Sequence, residues 1–322
     1  MTSIILTTDQ LERWNNTISS LPYSFEYTAQ YAKAIELAHG NPVLLFAYEN
    51  KTGITVIPFS TRQYDNTIDI YSPYGTYGIL SSQPSQEWLP IWLEFVTSQR
   101  YVCSYLVVNP FFPPHIDSSL SETMAPGNPI YTLDLSLSIS ALVDNLDENY
   151  RREITKLQQS SAQIITDKQQ LTPIFLRLYA QFIQSINAKS IYHFSEAALL
   201  ELIADENAVL IGIKNNETIE AVSLFLYSDW VCNFFLSAAL ENGRKYSRLI
   251  LWEAINICKQ KNIAYFNLGG GITQEDSLAK FKKRFGSKET RVSNLKQIYD
   301  GNLFSNLCEG KELKDNFFPP YY

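Results

Sequence analysis

The chain has 322 residues, 45% of them hydrophobic and 13% aromatic, with a formal net charge of −7. That length accommodates two domains of ordinary size. The acidic balance excludes an extended DNA-binding surface but leaves room for a local basic site. Residues 1–6 have neither a basic stretch nor a long apolar core. No apolar run reaches the roughly 20 residues needed to cross a bilayer. A soluble, cytoplasmic protein without a transmembrane segment is expected.

Read in chain order, the first half gives strand-like runs at 43–48 and 54–59, joined by a turn containing Asn50 and Gly53. A strand follows at 68–71, then a helix at 87–99 and a strand at 101–108. The polar stretch 118–128 reads as a surface loop. Leu142, Leu146, Tyr150, Ile154 and Leu157 recur at three- or four-residue steps, which predicts one amphipathic helix over 139–160. A second helix is expected at 171–187, with Pro173 in its first turn. A third is expected at 195–205, with Ser195 as its cap. The second half then repeats the first: strands at 208–213, 219–227 and 231–236, a helix at 245–261 and a strand at 263–268. The matching elements lie about 160 residues apart, which argues for a duplicated unit. The expected class is α/β in the α+β sense. Each of two units, 1–137 and 138–322, is a mixed, mostly antiparallel sheet flanked by helices.

Cys103, Cys232, Cys258 and Cys308 show no paired spacing and read as reduced, mostly core residues. His39, His115 and His193 lack ligand spacing, so no metal site is expected.

Four segments carry candidate chemistry. The first is Gly269, Gly270 and Gly271 at the end of a predicted strand, followed by a basic helix. Side-chain-free backbone lets a substrate approach the main chain. The run lacks the third glycine of a dinucleotide fingerprint and the Gly-Lys-Ser/Thr of a phosphate loop. In the helix, Leu278, Phe281 and Phe285 form one apolar stripe, and Lys282 lies about 67° from its centre at about 100° per residue. Lys282 therefore either snorkels along the core edge or enters a cleft and stabilises developing oxyanion charge. Lys280 and Lys283 point away. Asp276 reads as a helix-start acid and as a candidate base.

The second segment holds Asp69, Tyr71, Ser72, Tyr74, Gly75, Tyr77 and Gly78. Its rings and hydroxyls suit a sugar or other polar ligand, or simply pack between elements. The third is Arg151 with Arg152, which grip a phosphate or carboxylate or coat a helix surface. The fourth is the turn and helix start with Arg244, Lys245, Ser247 and Arg248.

Together these segments resemble the Fem-like (FemAB-type) branch of the GNAT acyltransferase superfamily. The Asp69-x-x-Ser72-Pro73-Tyr74-Gly75 loop, the Arg151-x-x-Ile154-x-Lys156 helix, the glycine run with Phe281-Lys282, and the ending Phe317-Phe318-Pro319-Pro320-Tyr321 fall in the family's order, over roughly residues 23–320. The resemblance implies two GNAT-like units. It also implies that Phe281 and Lys282 stabilise the transition state while an amine attacks an activated acyl carbonyl. Asp276 stays a weaker catalytic candidate. Asp69, Tyr71, Ser72, Tyr74, Tyr77, Arg151, Gly269, Gly270 and Gly271 become candidate substrate contacts. Arg244, Lys245, Ser247 and Arg248 stand where the superfamily binds the pyrophosphate of CoA, although the glycine pattern there is degraded. The donor implied is acyl-CoA, acetyl-CoA in the simplest case. The acceptor implied is a nucleotide- or lipid-linked amino sugar of cell-surface polysaccharide or cell-wall biosynthesis. The alternative is transfer from aminoacyl-tRNA to a peptidoglycan precursor, although no coiled-coil arm is present. A third reading is a non-catalytic GNAT-like binding protein.

Overall fold

A computed structural model describes residues 2–75, 78–82, 87–112, 120, 123–271, 276–311 and 317–322. Among these are thirteen strands and ten α-helices. They form two compact units. The first comprises Met1–Pro22, Glu26–Gly127 and Arg291–Tyr322, and the second Tyr23–Phe25 and Asn128–Thr290.

In the first unit β1 (Thr2–Leu6), β2 (Val43–Glu49), β3 (Ile54–Tyr64) and β4 (Thr67–Tyr71) run antiparallel to one another, with the short β5 (Leu80–Ser81) also paired to β3. The helix Trp88–Ser98 then leads to β6 (Cys103–Val108), which is parallel to β4. Trp88, Trp92 and Val96 of that helix are buried against Phe46, Ile57, Phe59 and Leu106 of the sheet. Phe46 and Phe59 meet the Trp92 ring edge-on at 5.2 and 5.6 Å.

The second unit repeats this order. The strands β9 (Ala208–Asn215), β10 (Thr218–Tyr227) and β11 (Val231–Ala239) form an antiparallel meander. The helix Ser247–Gln260 follows, then β12 (Tyr265–Gly270), parallel to β11. The short β8 (Gln163–Ile165) pairs with β9 as β1 does with β2. Leu249, Ile250, Leu251, Trp252, Ala254 and Ile255 of the helix and Phe225, Cys232 and Phe266 of the sheet share one core.

One further strand of each unit comes from outside the repeat. β7 (Met124–Asp134) pairs with β12 through Ile130–Asp134, and β13 (Lys288–Ile298) pairs with β6 through Ser293–Ile298. For this reason the contact-defined units are not contiguous. The chain from Arg291 to Tyr322 packs with the first unit, whereas the sequence reading placed it in the second.

Three local expectations are corrected. The single helix at 139–160 is two, Ile139–Asn145 and Glu148–Gln158, because Leu146 and Asp147 are extended and Asp147 caps the second by accepting from the Asn149 N–H. The helix expected at 171–187 is Lys168–Ser185. Asp167 caps it by accepting from Gln169 and Gln170, so Pro173 lies inside it and costs one backbone bond. The loop expected at 118–128 becomes strand from Met124. Ser195 does cap its helix, accepting from the Ala198 N–H at 3.2 Å. All four cysteines are free, and three are buried. Among the described residues no helix is long and apolar enough to cross a membrane.

Candidate functional site

In the second unit the parallel pair β11–β12 shares only three rungs, Val231–Asn233 against Tyr265–Asn267. The last rung is a buried amide pair: Asn267 Nδ2 donates to Asn233 Oδ1 at 2.8 Å. Asn267 Oδ1 also accepts from the Gly269 N–H at 2.8 Å, which turns the backbone away from β11. Gly269 has φ +75°, a conformation that favours glycine. Gly270 pairs across to Ile130 of β7 instead. The two parallel strands thus part just where the side chains end, and Phe234–Ala239 of β11 continue paired to β10 alone among the described strands.

Lys282 closes this turn. The helix Ser277–Lys283 starts at Asp276, whose Oδ1 accepts from the Ala279 N–H at 2.7 Å. The buried face of the segment is Ala279, Lys282 and Phe285, while Leu278 is exposed. The sequence stripe had Leu278 inside and Lys282 off-centre, so the helix is rotated toward the lysine. Only 4% of Lys282 is exposed. Its Nζ donates to the Gly270 carbonyl at 2.6 Å, and it would stand 3.4 Å from any Cβ placed on Gly269. Burial pulls its pKa down to about 8, partly opposed by the Asp276 carboxylate. An ammonium has three N–H donors, and one is engaged here among the described residues. Asp276 is committed to the helix start, which weakens the expectation that it serves as a base.

Beside Lys282, Phe281 packs on Tyr150 (5.8 Å between ring centres) and on Phe285 (5.4 Å). Arg248 lies over the Tyr150 ring at 4.4 Å and pairs with Glu153 at 2.6 Å. Arg248 therefore braces this aromatic cluster, with its charge already paired to Glu153. Ser247 Oγ donates to the Arg244 carbonyl at 2.9 Å, so its hydrogen is also committed. Arg244 and Lys245 are exposed, with the Lys245 ammonium over the neighbouring Tyr246 ring. Arg151 donates to the Asp144 carbonyl at 3.1 Å, and Arg152 to Asn149 Oδ1 at 2.5 Å. The two arginines do not converge into a clamp, because neighbours on a helix diverge by about 100°.

The Asp69 segment belongs to the first unit. Asp69 is fully buried. Tyr321 donates to its carboxylate at 2.8 Å, and the Cys103 thiol donates to Oδ1 at 3.3 Å. Asp69 is thus a tether for the C-terminal residues and not an exposed substrate contact. Arg62 supports the same tail, donating to the Phe318 carbonyl at 3.1 Å and lying 4.1 Å from the Tyr322 ring centre. Ser72 is a backbone stitch: its N–H donates to the Tyr105 carbonyl and its Oγ accepts from the Val107 N–H, both at 2.9 Å. The Tyr71 hydroxyl accepts from Asn41 Nδ2, and the Tyr74 carbonyl accepts from the Tyr31 hydroxyl. Tyr77 and His115 lie outside the described residues. Sequence reasoning did not single out Asn233 and Asn267. Their signal is an asparagine inside an otherwise apolar strand.

Residues 145–283, which contain the glycine turn, Lys282 and the helices around them, match the model of the acetyltransferase (GNAT) domain. No curated protein matches the sequence. Among solved structures, FemX shares the fold at a TM-score of 0.72 and 10% identity, covering 95% of this chain and 99% of that one. The C-terminal domain of a putative lysylphosphatidylglycerol synthetase from Agrobacterium fabrum follows at 0.60 and 10%, covering 89% and 91%. L-PGS from Bacillus licheniformis gives 0.56 and 11%, covering 88% and 91%.

Proposed function

We propose that this GNAT-type acyltransferase, which shares its fold with FemX, moves an acyl group, acetyl in the simplest case, from acyl-CoA to an amine. The acceptor proposed is an amino sugar carried on a nucleotide or lipid during cell-surface polysaccharide or cell-wall synthesis in the cytoplasm. The observation that carries this reading is the buried Lys282 amine, 2.6 Å from the Gly270 carbonyl at a turn without side chains. An acyl carbonyl laid along Gly269, Gly270 and Gly271 would meet backbone only. Attack by the acceptor nitrogen puts negative charge on the carbonyl oxygen, and the Lys282 ammonium has donors left to stabilise it. Phe281 and Tyr150 hold the lysine's helix from its other side. Exposed Arg244 and Lys245 are the groups available to CoA phosphates. Removing one such oxyanion donor costs about 2.7–4 kcal/mol of barrier.

A second reading, transfer from aminoacyl-tRNA to a peptidoglycan precursor, is favoured by one feature. The tight turn Glu241–Tyr246 runs directly into the helix Ser247–Gln260. In it the Gly243 N–H donates to the Leu240 carbonyl, and both Ser247 donors go to the Arg244 carbonyl. Two N–H groups of the turn, those of Gly243 and Ser247, are thereby engaged within the chain and not offered to a pyrophosphate. Calorimetric titration with acetyl-CoA, free CoA and a mixed aminoacyl-tRNA pool separates the two. Micromolar acetyl-CoA binding is expected. Binding of tRNA without CoA would replace the first reading with the second.

A further inference from the structure

Among the described residues no carboxylate touches the Lys282 amine, and burial beside a carbonyl makes it give up its proton more readily than a solvated lysine does. Among the described residues the charged groups around Lys282 are few. Asp276 acts on it from the start of its own helix and is already engaged as the cap. The strands β12 and β7 bring Gly269, Gly270 and the Pro129 carbonyl to this corner, all of them backbone or side-chain-free. From the helices packed on the Phe281 side come Arg248 and Glu153, which neutralise each other at 2.6 Å over the Tyr150 ring. Lys283, one residue on, is paired away to Glu289 at 3.0 Å. Among the described residues no other base stands at the glycine turn, since Asp276 holds the helix start.

We propose that Lys282 is the proton shuttle of the transfer, its neutral form being the one that takes the first proton. This rests on the acyl-transfer reading above. In the first step Lys282 Nζ takes one proton from the protonated acceptor, leaving a neutral nucleophile and an ammonium at the turn. The acceptor nitrogen then bonds to the acyl carbon, and the carbonyl π pair moves onto oxygen beside that new ammonium. On collapse the bond to the leaving sulfur breaks, and Lys282 returns its proton to that sulfur. The remaining proton on nitrogen passes to solvent as the amide forms, so each turnover releases one net proton. One residue thereby supplies base, oxyanion partner and acid in sequence. The direction of its titration, down to about 8 through burial, agrees with this order.

The test has two parts. Carbon-13 labelling of lysine Cε in the full-length protein, with the Lys282 signal assigned from Lys282→Arg, reads the titration directly. A midpoint near 8 is expected, and a midpoint at 10 or above overturns the shuttle whatever the donor proves to be. The second part follows acetyl transfer from acetyl-CoA to glucosamine by wild type, Lys282→Arg and Lys282→Met, each checked for a cooperative melt. A fixed cation suffices for oxyanion stabilisation alone, so arginine would then retain most activity. The shuttle predicts that arginine and methionine both lose about 100-fold or more. Retention within threefold by Lys282→Arg overturns it. A wild type that titrates near 8 but transfers nothing overturns the acyl-CoA-to-amino-sugar reading, and the shuttle as a step of it, while leaving the low-pKa amine in place.

Discussion

The two units start from the same strand order and end differently at the same position. In each, the third meander strand lies parallel to the strand that returns from the long helix. In the first unit described residues beyond β4 lie on β6: Ser72 bonds to Tyr105 and Val107, and Ile79 bridges to Val108. Gly78 passes so near that a Cβ there would come 2.0 Å from the Val107 carbonyl oxygen. In the second unit β12 leaves β11 after Asn267 and joins β7 through Gly270. One crevice is stitched shut along its own backbone. In the other the parallel strands part at a glycine turn with a buried amine. The same strand order thus carries two different turns, and local turn chemistry decides whether the parallel strands stay joined.

The largest way to break this contrast is to exchange sites. Lys282→Ala is expected to lower kcat/KM about 100- to 1,000-fold, whereas Tyr71→Phe in the stitched unit leaves it within about threefold, its hydroxyl serving the contact with Asn41. Parallel steady-state kinetics decide. Equal losses would make the first unit part of the chemistry, and no loss at Lys282 would favour the non-catalytic reading.

Next comes stability of the stitched crevice. Gly78→Ala forces backbone apart against the Val107 oxygen and should cost about 3 kcal/mol or more in denaturant titration. Asp69→Ala removes the carboxylate that accepts from the buried Tyr321 hydroxyl and Cys103 thiol, leaving them only their 3.7 Å contact with each other, and should cost about 2–3 kcal/mol.

The Lys282 site should show the opposite sign. Because the Lys282 pKa falls from 10.5 to about 8 on folding, the unfolded chain binds more protons between those values. The penalty is fully present below pH 8 and fades as pH rises toward 10.5. Lys282→Met should therefore gain up to about 3 kcal/mol at pH 7 while losing activity. The gain should shrink through pH 8–10.5, as thermal melts across that range would read. An unchanged gain at pH 10.5 would trace it to packing instead. The smallest effect is that of Arg248→Ala, about 1 kcal/mol for a partly exposed pair with Glu153. A drop in activity larger than this loss of stability would mean that the brace also positions Phe281.

Much of the repeat was legible because its signals are local. The runs at 208–213 and 219–227 are β-branched and aromatic, and the turn between them holds Asn216 at φ +55°, a conformation asparagine tolerates. The stripe through Tyr150 and Ile154 announced helix, but the break at Asp147 kept that stripe in phase, so periodicity alone could not find it. Strand β7 was hidden because Met124-Ala125-Pro126-Gly127-Asn128-Pro129 reads as turn, and its pairing partner lies about 130 residues away.

The amino-acid sequence by itself determined that there are two α+β units, that Gly269 and Gly270 end a strand, and that Lys282 is the basic residue nearest the apolar face of its helix. These follow from periodicity, turn chemistry and composition, which act over a few residues. Tertiary structure alone decided that β7 and β13 are exchanged between the repeats and that Asp69 and Ser72 serve as tether and stitch. It also buried the Lys282 amine on the Gly270 carbonyl. Each of those outcomes depends on which distant backbone satisfies which buried polar group, and no local pattern encodes that pairing.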